Sequence, residues 1–171
     1  MRKSIILVLV ILIFTLSACD SHQEVVRENL VSTDLSAVMI DGISVGNAID
    51  TVDMTKYTEL PPDTFIQKEN LYYFQELRME TDEEGNIQEV RGNIYAYVEE
   101  YEAVPFSVNG KENLSSINEV VDLLGKNHNH YWFDREQGIY AYTFYDSSNK
   151  VYATFAYIYN SNELVWVILS E

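Results

Sequence analysis

Gly138-Ile139-Tyr140-Ala141-Tyr142-Thr143-Phe144-Tyr145, then Val151-Tyr152-Ala153-Thr154-Phe155-Ala156-Tyr157-Ile158-Tyr159, then Glu163-Leu164-Val165-Trp166-Val167-Ile168-Leu169: these three runs decide the fold. Each is rich in aromatic and β-branched residues at alternating positions, the pattern of a strand with one face buried. The links Asp146-Ser147-Ser148-Asn149 and Asn160-Ser161-Asn162 are short and built of turn-forming residues, so the runs form successive antiparallel hairpins. Alternation sends Tyr140, Tyr142 and Phe144 to one face and Tyr145 to the other. Phe155, Tyr157 and Tyr159 share a face, and Leu164, Trp166 and Ile168 form another stripe.

Just upstream, Ser116-Ile117-Asn118-Glu119-Val120-Val121-Asp122-Leu123-Leu124-Gly125 reads as a helix. Ser116 and Glu119 have the S-x-x-E form of a capping box, Ile117, Val120, Val121 and Leu124 make the apolar stripe, and Gly125 stands at the C-terminal cap. The segment before it echoes an earlier one. Ile40-Asp41-Gly42 returns as Val108-Asn109-Gly110, 68 residues on, and the same offset lays Ile49 on Ile117 and Val52 on Val120. Asn47 can cap a shorter first helix that ends near Lys56-Tyr57, and Pro61-Pro62 enforces a break. The first half then continues with an alternating strand Glu76-Leu77-Arg78-Met79-Glu80, a turn at Asp82-Glu83-Glu84-Gly85-Asn86 and a return strand Ile87–Arg91. Ile94–Tyr101 reads as a strand linking the halves.

The expected fold is therefore α+β, with two degenerate repeats of a short helical element packed on an antiparallel sheet, over 38–104 and 105–171. The pattern of helix ending in Leu-Gly, Tyr140-Ala141-Tyr142 strand and closing hairpin through Glu163-Leu164-Val165 resembles the beta-lactamase-inhibitor-protein architecture. It is also similar to the small lipoproteins of the outer-membrane assembly machinery.

The N-terminus carries its own signal. Arg2 and Lys3 precede an apolar run, Ile5–Leu16, broken only by Thr15. It is too short for the roughly 20 residues that span a bilayer and suits a signal peptide. Leu16-Ser17-Ala18-Cys19 resembles the lipobox of bacterial lipoproteins. That resemblance implies removal of residues 1–18, a diacylglycerol on the Cys19 sulfur, and a lipid-anchored protein on the extracytoplasmic face of the cell membrane. Two acyl chains suffice for stable anchoring. Residues 19–37, polar with scattered aliphatics, read as the tether.

The 171 residues hold 27 acidic against 11 basic side chains, a formal net charge of −16. Charge repulsion disfavours nucleic acid and anionic lipid headgroups as partner surfaces, and no nucleic-acid partner is expected. Cys19 is the only cysteine, so no disulfide, cysteine nucleophile or cysteine-ligated metal is expected. No G-x-S-x-G, phosphate-binding glycine loop or H-E-x-x-H occurs, and the chain is not expected to be an enzyme or to carry a metal or cofactor. His128 and His130, with Asp134 and Glu136 nearby, are too few for a defined metal site. The turn Asp82–Asn86 lacks the order of a calcium loop. Glu99, Glu100 and Glu102, around Tyr101, read as a solvated edge.

More than half of the aromatics fall between Tyr131 and Trp166. With one sheet face on the helix, the other becomes a Tyr-rich surface, and tyrosine offers large contact area and a polar tip at low entropic cost. The expected function is non-catalytic protein binding, as an inhibitor, an immunity protein or an envelope scaffold, anchored on Tyr140, Tyr142, Tyr157, Tyr159 and Trp166. The alternative is a small-ligand binder with an aromatic pocket around Trp132 and Phe133.

Overall fold

The computed structural model describes residues 30–61, 69–94 and 103–171. Cys19, the apolar run before it, Pro62, the strand expected over residues 95–101, and Glu99, Glu100 and Glu102 lie outside the described residues. Every element belongs to the unit Ser32–Glu171. The strands are β1 (Val38–Ile40), β2 (Leu71–Tyr73), β3 (Leu77–Thr81), β4 (Ile87–Asn93), β5 (Phe106–Val108), β6 (Lys111–Glu112), β7 (Asn129–Asp134), β8 (Ile139–Asp146), β9 (Val151–Ile158) and β10 (Leu164–Ser170). One α-helix, α1 (Ile117–Leu124), precedes β7. Among the described residues no helix is long and apolar enough to cross a membrane.

The α+β reading with two helix-plus-sheet repeats is overturned. Among the described residues strand accounts for 46 %, α1 is the one helix of seven residues or more, and the strands form two antiparallel sheets of three and seven. The first copy holds two single 3-10 turns, Ile49–Thr51 and Met54–Lys56, in place of a helix. The repeat offset shows why. Val121 and Leu124, the second half of the helical stripe, correspond to Asp53 and Lys56, and Glu119 of the capping box corresponds to Thr51. The Asn47 amide oxygen accepts from Ser44 N–H, upstream, and Ile49 N–H donates to the Gly85 carbonyl in the β3–β4 turn. A helix nucleus needs consecutive turns of its own, and these contacts draw the segment onto the sheet instead.

What does repeat is the turn. Asp41 and Gly42 have φ of 47° and 79°, Asn109 and Gly110 of 52° and 75°. Each pair closes a two-residue hairpin with positive φ at both positions, where Asp, Asn and Gly are the usual residues. The two copies pair directly, with β1 antiparallel to β5 and Val38 opposite Val108, Met39 opposite Ser107 and Ile40 opposite Phe106. β6 completes this small sheet.

The large sheet has the order β2-β3-β4-β10-β9-β8-β7. The hairpins read as belonging to separate halves are joined by β4–β10 pairing, with Gly92 opposite Val167. The small sheet lies over this seam. A Cβ on Gly92 would stand 2.6 Å from Val104 Cγ1 and 2.8 Å from Ile40 Cγ2, so only glycine admits the approach. Between the layers sit Ile40, Met79, Val90, Val108, Phe144 and Phe155, all fully buried, and α1 adds Ile117, Val120 and Leu124. Each large side chain buried this way is worth about 1.5–3 kcal/mol.

The chain joins the unit at the β8–β9 turn. Thr33 N–H bonds to the Tyr145 carbonyl at 2.8 Å, Leu35 N–H to Asp146 Oδ2 at 3.1 Å, and Leu35 is buried. The tether expected over 19–37 therefore yields its last residues to the folded unit.

Candidate aromatic surface

β8 and β9 run side by side from the β8–β9 turn to Ile139 and Ile158, with Phe144 opposite Ala153, Tyr142 opposite Phe155 and Tyr140 opposite Tyr157. These side chains alternate onto the core face. At the turn end, under Leu35 and the small sheet, Phe144 and Phe155 meet edge to face at 5.9 Å. Toward the other end the cover runs out and the rings continue. Tyr142 meets Tyr157 at 5.2 Å, Tyr157 meets Tyr140 at 6.0 Å, Tyr140 meets Trp132 at 4.9 Å, and Trp132 meets Tyr159 at 5.4 Å. Edge-to-face pairs of this kind contribute about 0.5–1.5 kcal/mol beyond their buried area.

Exposure rises along this ladder. Tyr157 is 3 % exposed, Trp132 40 % and Tyr159 54 %. Burial pushes the Tyr157 hydroxyl well above the usual tyrosine range, and its hydrogen bond with Tyr142 adds to the effect. The inner end is core, while the outer end is an apolar surface in water. Within Ser32–Glu171, the large apolar side chains left exposed among the described residues are Tyr131, Trp132 and Tyr159; Trp132 and Tyr159 meet at this end of the ladder, while Tyr131 lies on the opposite face of β7.

β7 supplies the edge of the surface. His130 lies opposite Tyr142 and Trp132 opposite Tyr140. His128, just before the strand, stacks on Tyr142 with ring centroids 3.9 Å apart, and burial, more than the neighbouring His130, pushes its pKa down. His130 sits 5.8 Å from Tyr140. The imidazoles thus serve as members of the ring stack. Among the described residues no three His, Cys, Asp or Glu side chains are placed to hold a metal ion. Asp134 instead accepts from the Glu136 and Gln137 N–H groups in the β7–β8 turn.

The structure brings Tyr140, Tyr142, Tyr157, Tyr159 and Trp132 together and places Trp166 elsewhere. A bulge between Leu164 and Trp166 adds one residue to β10, so Leu164 pairs with Tyr157 and Trp166 with Ala156. The extra residue reverses the alternation. Leu164 turns into the core, and Trp166 moves to the opposite face with Phe133, at 5.5 Å, and the Arg91 guanidinium, 4.5 Å above its ring. Ile139, Ala141 and Ala156 pack beside them on that face, and further along it Thr143 and Thr154 share a hydroxyl hydrogen bond of 2.7 Å.

A cavity of about 470 Å³ lies apart from the ladder. Ile94, Val104, Phe106, Leu114 and Leu164 line its apolar part, and Asn113, Ser115 and Glu163 its polar part. None of the ladder rings borders it. Two members of the cluster, His128 and His130, are not among the anchors named from sequence. No family model, curated protein or solved structure matches the chain.

Proposed function

We propose that this protein is a lipid-anchored, non-catalytic protein-binding module of the extracytoplasmic membrane face, and that the outer end of the aromatic ladder is its binding surface. The observation that carries the reading is that the exposed rings of Trp132 and Tyr159 meet at 5.4 Å at the outer end of a ladder whose inner end, Phe144 and Phe155, is fully buried. Apolar side chains left in water together are what a protein partner covers. The surface is open, which favours a protein over a small ligand, since ligand sites enclose most of their ligand. The anchor follows from the likeness of Leu16-Ser17-Ala18-Cys19 to a lipobox.

The entry of the chain agrees with this arrangement. Thr33 and Leu35 are bound at Tyr145 and Asp146, while Tyr140 lies six residues further along the same strand. At about 3.3 Å per residue the surface stands some 20 Å from the point where the anchored segment arrives.

Two measurements test the reading. Cys19→Ser should move the protein from the membrane fraction to the soluble one, and its retention in the membrane would contradict the anchor. The full-length chain should capture a surface or secreted protein that the double variant Trp132→Ala with Tyr159→Ala, folded by circular dichroism, fails to hold. Equal capture by both would remove the binding role from this surface.

A further inference from the structure

The large sheet has two edges, and they differ. β2 is three residues long, and the chain covers its end: Leu60 N–H donates to the Tyr73 carbonyl, and Gln75 N–H to the Thr58 carbonyl. β7 is six residues long, and among the described residues no backbone hydrogen bond reaches its outer side. His130, Tyr131 and Trp132 are all exposed. Open edges are ordinarily guarded by lysine, proline or an inward-pointing charge. β7 contains no lysine or proline, and its one carboxylate, Asp134, is held in the following turn. A bulge between Trp132 and Asp134 ends the straight run, so the ladder left open is Asn129–Trp132.

We infer that β7 takes up an extended, basic segment of a partner protein as an added strand. The inference rests on the protein-binding reading and names how the partner is held. Backbone pairing along Asn129–Trp132 gives affinity. His130 with Trp132 on one face, and Tyr131 on the other, receive the alternate side chains of the incoming strand. Charge selects the occupant. Pairing β7 with a second copy brings together two chains of formal charge −16, whereas a cationic segment is drawn in.

The test uses the full-length chain in zwitterionic detergent and the acetylated peptide amide Lys-Val-Lys-Tyr-Lys-Val-Lys as probe. Two further forms carry backbone N-methyl groups on alternate residues, one form for each edge of the peptide. A strand offers only one edge to β7. One methylated form should therefore bind at least about tenfold more weakly, from the loss of two or more backbone hydrogen bonds. The other should bind like the parent, and the glutamate-for-lysine peptide should bind more weakly than the parent. Equal binding of the two methylated forms would overturn strand addition and leave side-chain docking on the aromatic surface standing. Absence of binding, equal binding of the glutamate peptide, or a β7-paired dimer that the peptide does not dissociate would each overturn it as well. The protein-binding reading fails separately, if the chain captures no partner that depends on Trp132 and Tyr159.

Discussion

Residues 40–56 and 108–124 begin alike and end differently. Both open with a strand residue, a left-handed Asp or Asn, and a left-handed glycine, and the two hairpins so formed pair with each other through β1 and β5. Nine residues further on, one copy begins α1 and the other the first of two isolated 3-10 turns. A turn is specified by two residues and survives in both copies. A helix needs an apolar stripe over two turns together with its cap, and the loss of Val121, Leu124 and Glu119 from the first copy is enough to abolish it. The repeat is thus a repeat of local turn chemistry, and the tertiary context around each copy decides the rest.

The shared part can be broken at one point. Gly92→Val places methyl groups where Ile40 of the first copy and Val104 already stand. The small sheet must lift from β4, and we expect a loss of about 3 kcal/mol in denaturant unfolding. The divergent part sharpens under paired truncation. Ile117→Ala empties a site that is 2 % exposed, while Ile49→Ala acts on a half-buried one. We expect about 3 kcal/mol for the first and about 1 for the second. Equal values would mean that the two positions are packed alike.

The turns themselves should differ less. Asp41 Oδ2 accepts the Tyr57 hydroxyl at 2.7 Å, whereas the Asn109 side chain makes only an exposed 3.3 Å bond to the Leu123 carbonyl. Asp41→Gly should cost about 1 kcal/mol and Asn109→Gly a few tenths, both read from thermal unfolding. The mildest difference is one of pH. The Ser115 N–H, with Lys111 beside it, holds the Glu119 carboxyl at about 2, below its ordinary 4.5. A depressed carboxyl stabilises the folded state above its unfolded value, and the contribution disappears as the pH falls through the folded one. Helical circular dichroism should therefore decline between about pH 4.5 and pH 2, and Glu119→Gln should flatten that decline. The first copy has no counterpart carboxylate at Thr51.

The C-terminal sheet was readable because each strand carries its own alternation. The runs over 138–145, 151–159 and 163–169 correspond to β8, β9 and β10, and the boundary residues Ser116 and Gly125 of α1 carry standard cap chemistry. What escaped reading depends on distant partners. Nothing in Leu164-Val165-Trp166 announces a bulge, because all three residues suit either face, yet it decides that Trp166 leaves the Tyr140 surface. Asn129 and His130 have weak strand propensity and read as loop; Thr143 and Tyr142 opposite them supply the pairing. The union of the β3–β4 and β9–β10 hairpins in one sheet depends on the side-chain-free surface of Gly92 beneath the small sheet, a long-range fit without local signature.

The most direct test of the proposed binding surface places a photo-reactive benzoylphenylalanine at Tyr159 in the full-length chain within its source cells, and in a second protein at Tyr152, beside the β8–β9 turn. Irradiation should give one defined cross-linked protein from position 159 and none from 152. No product at 159, or the same product at both, would contradict the assignment of binding to the open end of the aromatic ladder.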